Sequence, residues 1–274
     1  MSGKVSVLMG IYNCESTLVQ AISSIQNQTY TNWELILCDD GSKDNTYQVA
    51  KQMAREDDRI IVIQNEKNLG LNVTLNRCLA IATGEYIARM DGDDESLPER
   101  FQRQIDFLES QEEYNIVSSS MILFDENGEW GRKHVKKHPE AEDVVTGNPI
   151  CHAPVMMRKK CMDDVKGYTV DKKMIRVEDV NLWIKLYAAG YRCYNMEEPL
   201  YRMRNDKNAL ARRKYKYRIN SAYVRIQGCR LLNLGIKCYI KACMPMIIGL
   251  VPAKLRSIYR RQQQKKRNYG EKSF

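Results

Sequence analysis

Strand and helix signals alternate through the first 125 residues, and this alternation restricts the chain to an α/β architecture. Val5–Ile11 (VSVLMGI) is an apolar run ended by Tyr12 and Asn13. Residues 16–28 follow, with Leu18, Ala21, Ile22 and Ile25 at helical spacing. WELILC (33–38) reads as a second strand, stopped by DDGS at 39–42. Asp44 is placed to cap a helix running to Ala54, and further signals predict a strand over 60–63, a helix over 73–82 and a strand over 86–90. Pro98 suits an early helical position before a helix over 101–108, and a fifth strand is expected at 116–124. Such βαβ units imply a mostly parallel sheet flanked by helices.

Ligands of open α/β sheets sit beyond the carboxyl ends of the strands. Asp39-Asp40 ends the second strand, and the DGDD of Asp91, Gly92, Asp93 and Asp94 ends the fourth, so both acidic clusters should open on one crevice. Two carboxylates one residue apart on a turn can direct oxygens at a hard cation, Mg²⁺ or Mn²⁺, that keeps positions open for phosphate oxygens. Such a cation would neutralise charge on a diphosphate leaving group. A solvated acidic turn is the plainer reading of a lone DxD. In DDGS the Asp and Ser could likewise do no more than cap the turn. Tyr12 could stack on a nucleobase or close the core.

The stretch 126–204 is less regular. NPICHAP (148–154) leads into a strand at 155–158, and 178–189 reads as a helix closed by Gly190. Glu178 and Asp179 open that helix, where carboxylates are favoured by the helix dipole. Alternatively, one of them takes the proton of an acceptor hydroxyl near the cation site. Other nucleophile schemes fail on inventory: the chain has three histidines and no GxSxG, HExxH or Walker sequence. His152, in the turn before a strand, reads as structural or acceptor-side.

The net charge of +9 conceals an asymmetry. Residues up to Arg204 sum to −7, whereas 205–274 hold 18 basic residues against Asp206 and Glu271, or +16. A body spanning 1–204 thus carries a basic, partly amphipathic helical extension, 205–274, suited to an anionic membrane surface. A solvated tail and nucleic-acid binding are the weaker alternatives. The apolar run 242–253 falls short of the roughly 20 residues that span a bilayer. With no signal-peptide pattern at the start and nine scattered cysteines without CxxC pairs, a reducing, cytoplasmic setting on the inner membrane face is expected.

The segments VSVLMGIYN, AISSIQNQTYTNWELILCDDGSKDNT, NEKNLGLNVTLN, GEYIARMDGDDESLPERFQRQ, NPICHAPVMMRK and VEDVNLWIKLYAAGY, taken together and in order, resemble bacterial family 2 glycosyltransferases of capsular and exopolysaccharide assembly. The resemblance covers about residues 4–204. It implies a GT-A (Rossmann-like) fold and an inverting, metal-dependent hexosyl transfer from a nucleotide-sugar donor, a UDP-sugar by expectation, to a lipid-linked saccharide. It further implies that Tyr12 contacts the base and Asp40 accepts from the uracil ring. Asp91 would face the donor and the metal, Asp93 would hold the metal with Asp94 assisting, and Asp179 would be the catalytic base beside Glu178. The His-Pro pair usual after Asn-Pro is here His152-Ala153-Pro154, which keeps His152 out of the catalytic set. A nucleotidyltransferase is disfavoured because the first loop (10–15) has one glycine and no basic residue. A non-catalytic nucleotide-sugar-binding protein is disfavoured by the intact DGDD and ED.

Overall fold

The computed structural model describes residues 3–205 and 215–250. The first half alternates as the pattern requires: β1 (Val5–Ile11), α1 (Glu15–Gln26), β2 (Trp33–Asp39), α2 (Thr46–Glu56), β3 (Ile60–Gln64), α3 (Leu71–Ile81) and β4 (Tyr86–Asp91). A two-residue strand β5 (Glu95–Ser96), α4 (Arg100–Ser110), β6 (Ile116–Asp125) and β7 (Gly128–Lys133) follow. Then come α5 (Ala141–Thr146), β8 (Met156–Arg158), α6 (Lys159–Asp164), a 3-10 turn at Lys172–Met174, α7 (Glu178–Ala188) and β9 (Cys193–Arg204). Beyond residue 214 lie α8 (Tyr215–Leu231), α9 (Ile236–Ala242) and α10 (Met244–Leu250).

One sheet runs in the order β3-β2-β1-β4-β8-β6-β9-β5, with β7 paired to β6. The four strands β3-β2-β1-β4 are parallel, which brings the carboxyl ends of β1, β2 and β4 to one edge. Beyond β4 the sheet is mixed: β8 is antiparallel to both β4 and β6, and β9 runs parallel to β6. Both faces are covered, which is why β1 reads as a continuous apolar run. Val5, Val7, Met9 and Ile11 join α1 and α4 on one side, while Leu8 joins α3, α6 and α7 on the other.

β9 lies in the stretch whose sequence looks irregular. Glu197, Glu198 and Pro199 interrupt its pattern, and the register against β6 slips there, from Ser119 opposite Met196 to Ser120 opposite Pro199. A bulge of this kind tolerates a proline that a regular ladder would not.

The described part of the C-terminal extension packs on this body. Ala222, Val224, Gly228 and Cys229 of α8 are buried, and the buried Arg225 guanidinium donates to the carbonyl of Val145 at 2.9 Å, at the end of α5. At Gly228 a Cβ would sit 2.5 Å from Ile184 Cδ1 and 2.9 Å from Val145 Cγ1, so only glycine permits so close an approach. The strongly basic run over 254–267 lies outside the described residues. Among those described, no helix is long and apolar enough to cross a membrane.

Candidate active site

At the carboxyl end of β4 the turn of DGDD gathers three carboxylates: oxygens of Asp91, Asp93 and Asp94 lie within 4.8 Å of one another. The turn is clamped from both sides. A Cβ on Gly92 would stand 3.0 Å from both Cys14 Sγ and Ile11 Cγ2, so the turn lies tight against the end of β1. Opposite, Arg204 at the end of β9 donates its backbone N–H to Asp94 Oδ1 (2.7 Å) and its Nε–H to the Asp93 carbonyl (3.1 Å). Burial, reinforced by the charges of Asp91 and Asp93, pushes the Asp94 carboxyl well above the usual carboxylate range. The cluster offers oxygen atoms only, the donor set of a hard divalent cation such as Mg²⁺ or Mn²⁺.

Asp39 and Asp40 divide the work of their turn. The carboxylate of Asp39 accepts the backbone N–H of Ser42 at 3.2 Å, the capping role anticipated for an acidic turn. Asp40 is buried yet lines a cleft of about 670 Å³. Its Oδ1 accepts from Asn65 Nδ2 (2.7 Å) and the Leu69 N–H (2.8 Å), and its Oδ2 accepts from the Gly70 N–H (2.9 Å). Oδ2 therefore keeps capacity for a further donor. Gly41, at φ 69°, makes this possible: a Cβ there would strike the Lys67 backbone at 2.7 Å.

Tyr12 borders the same cleft and is 43% exposed, so its ring does not close the core. The next residue holds it beside Asp40. Asn13 adopts φ 49°, donates its N–H to Ser42 Oγ (3.0 Å) and accepts the Lys43 N–H on its side chain (2.9 Å). Gly10, also on the cleft, lies opposite Asp91 in the β1–β4 register, which sets the carboxylate cluster at the cleft's margin.

Of the acidic pair that opens α7, Glu178 lines the cleft. Burial, with the Asp179 charge beside it, raises its carboxyl above the usual range. The Asp179 carboxylate accepts from Asn148 Nδ2 at 3.0 Å and from the Val180 N–H at 2.8 Å. His152 is half-buried: its Nε2 shares a hydrogen bond with Tyr168 Oη (2.8 Å), and its ring meets Trp183 edge-on. Burial and the nearby Arg89 guanidinium hold it well below the ordinary histidine range, as a neutral ring.

Sequence reasoning passed over Arg89. This arginine is 6% exposed, grips the Asp91 carboxylate in a two-armed ion pair, and acts electrostatically on His152, Tyr168, Tyr201 and Glu178. Its charge thus acts on a carboxylate of each acidic motif, Asp91 of DGDD and Glu178 of ED. The signal was an arginine inside the apolar strand YIARM, since a buried cation needs a partner. Tyr201 and Arg204 were missed with β9 itself. Tyr201 Oη accepts the Asp91 backbone N–H at 3.2 Å.

Comparison with known proteins identifies the family and the fold. The chain is 44% identical over 261 residues to a Bacillus subtilis (strain 168) sequence named as a glycosyltransferase, EpsE, covering 95% of this chain and 94% of that one. It is 27% identical over 237 residues to the Escherichia coli UDP-Glc:alpha-D-GlcNAc-diphosphoundecaprenol beta-1,3-glucosyltransferase WfaP, covering 86% and 88%. Among solved structures, Staphylococcus aureus TarS 1–349 in complex with UDP-GlcNAc superposes with a TM-score of 0.67 at 17% identity, over 90% of this chain and 82% of that one, a likeness of fold. The fold is GT-A. The model described as Glycosyl transferase family 2 matches residues 6–165, more than half of the chain, and with the extent of the EpsE identity this shows that the chain belongs to glycosyl transferase family 2.

Proposed function

We propose that the protein moves a sugar from a UDP-linked donor to a hydroxyl of a lipid-linked saccharide, with inversion, in the building of a cell-surface polysaccharide. One observation carries the reading: an oxygen-only carboxylate cluster stands at the margin of a cleft lined by Tyr12, Asp40 and Glu178. The UDP-glucose and diphosphoundecaprenol-linked acceptor in the name of WfaP favour the same substrate classes.

In this reading Tyr12 stacks on the base and Asp40 Oδ2 accepts an imide N–H, which a carboxylate can do and a donor group cannot. Asp91 and Asp93 would hold a divalent cation, with Asp94 behind them, and a cation bound there would supply neutralising charge to the donor diphosphate. Arg89 keeps Asp91 aligned. Asp179, oriented by Asn148, takes the proton of the acceptor hydroxyl as the sugar carbon is attacked from the side opposite the leaving group. Glu178 shapes the wall beside it. A direct displacement of this kind needs no nucleophile from the protein and inverts the anomeric centre.

The extension serves the acceptor. Exposed apolar side chains recur at helical spacing on α8 (Tyr215, Ile219, Tyr223), α9 (Ile236, Ile240) and α10 (Met244, Ile247, Ile248). With the basic residues of 254–267 they suit an anionic membrane surface on the cytoplasmic side.

Thermal shift of the full chain against a panel of nucleotide sugars, with and without Mn²⁺, tests the reading. Stabilisation by one or more UDP-sugars, enhanced by Mn²⁺, is expected. No stabilisation by any nucleotide sugar, with or without the metal, would refute it.

A further inference from the structure

The cleft has two walls of different origin. Residues 10–12, 40 and 68–74 make the wall assigned above to the nucleotide. The facing residues are Val170–Lys172, Ile175, Arg176 and Glu178, together with Tyr217 from α8. Lys172 and Arg176 are exposed on this second wall, and neither forms an ion pair with a carboxylate among the described residues.

The segment that carries them is held firmly. Asp171 accepts the Lys173 N–H at 2.7 Å, Met174 and Val177 are buried, and the Ile175 carbonyl accepts from Asn220 Nδ2 of α8 at 3.3 Å. The Lys173 ammonium lies over the Tyr223 ring at 4.5 Å, which ties the segment to α8 a second time. Arg176 itself sits at φ 66°, a conformation that costs a non-glycine residue energy and persists only where surrounding contacts impose it. Two cations are thus presented by a braced loop rather than by free surface side chains.

From this wall we infer an anion subsite: Lys172 and Arg176 take the diphosphate of the lipid-linked acceptor. The inference rests on the function proposed above. The donor diphosphate is already provided for by the carboxylate cluster and its cation at the end of β4, so a second cationic pair answers to a second anionic group. The surroundings say what is attached to it. Val170 and Ile175 line this same wall, 61% and 47% exposed, and Tyr217 reaches the cleft from α8. A ligand with its anionic group at Lys172 and Arg176 can lay a hydrocarbon chain against those apolar side chains. Asp171 and Glu178 share this wall, and Arg176 acts electrostatically on Glu178.

Calorimetric titration of the full chain with geranyl diphosphate, in saturating UDP and Mn²⁺ so that the donor subsite is filled, tests the assignment. Wild type should bind. The double variant Lys172→Ala/Arg176→Ala should bind at least about tenfold more weakly, with UDP affinity altered less than about twofold. The double variant Lys172→Arg/Arg176→Lys, which preserves both charges, should retain binding. Failure of wild type to bind, or equal binding by the alanine variant, would overturn the subsite. A matching loss of UDP affinity would also overturn it, by assigning the pair to the donor. If UDP itself does not bind wild type, the broader functional reading fails, which separates that failure from failure of the subsite alone.

Discussion

Arg89 and Asp91 stand two residues apart on β4, so their side chains share one face of the strand, and the guanidinium takes both oxygens of the carboxylate. The arginine is almost wholly buried. Removing the cation leaves the Asp91 carboxylate without its ion-pair partner. Because Asp91 keeps a third of its side chain exposed, Arg89→Met should lower unfolding free energy by on the order of 1–2 kcal/mol, less than the loss when a fully buried partner is stranded. Urea denaturation measures the loss, and Arg89→Lys should fall between the two because it restores charge without the fork.

Substitutions in the two carboxylate clusters should separate binding from chemistry. Asp93→Ala is expected to lose Mn²⁺-dependent UDP binding and turnover together. Asp179→Asn should bind UDP with near wild-type affinity while turnover falls by about a hundredfold or more, the scale of a missing general base. Calorimetry with UDP and Mn²⁺, set beside single-turnover rates, distinguishes the two. Full activity in either variant would remove that residue from the proposed mechanism.

His152 makes stability depend on pH in a defined direction. Burial and Arg89 hold its pKa below the ordinary 6.5, so the folded protein keeps the ring neutral where the unfolded chain would already bind a proton. Stability from this group is present above pH 6.5 and declines as pH falls through that value toward the depressed pKa. Denaturation midpoints at pH 7.5 and 5.5 should show a larger acid-side drop for wild type than for His152→Gln. Equal slopes would mean that the ring is accessible to protons in the folded state.

Much of this was legible from the residues alone. The apolar runs of β1, β2 and β4 were legible because parallel strands buried on both faces leave an unambiguous pattern, and of the acidic turns that end them DDGS brings Asp40 to the cleft wall while the carboxylates of DGDD stand outside its lining. Two things were not legible. β9 hides behind Glu197, Glu198 and Pro199, whose accommodation depends on a bulge that no local pattern announces, and with it Tyr201 and Arg204 went unseen. The division of labour within pairs was equally invisible. Nothing in DDGS says that Asp39 caps the turn while Asp40 faces the cleft, and nothing in ED says that Glu178 rather than Asp179 lines it.

The close fit of α8 against α5 and α7 predicts sensitivity at Gly228. A branched side chain there must push α8 away from Ile184 and Val145. Gly228→Val should destabilise the protein by about 1–3 kcal/mol, the usual cost of overpacking. Thermal or chemical denaturation reads the effect. An unchanged midpoint would show that α8 does not depend on this contact.

Association with membranes should be electrostatic and apolar together. Sedimentation with vesicles containing phosphatidylglycerol is expected to capture the protein at low ionic strength and release it as salt rises. Ile236→Glu combined with Ile240→Glu should weaken capture at every salt concentration. Indifference to both salt and substitution would argue against docking through this face.

The walls of the cleft are encoded far apart: one by loops within the first 75 residues, the other by 170–178 and a helix beyond residue 214. On the proposed assignment, changes confined to the later segment would alter the recipient of the sugar and leave the nucleotide wall as it is.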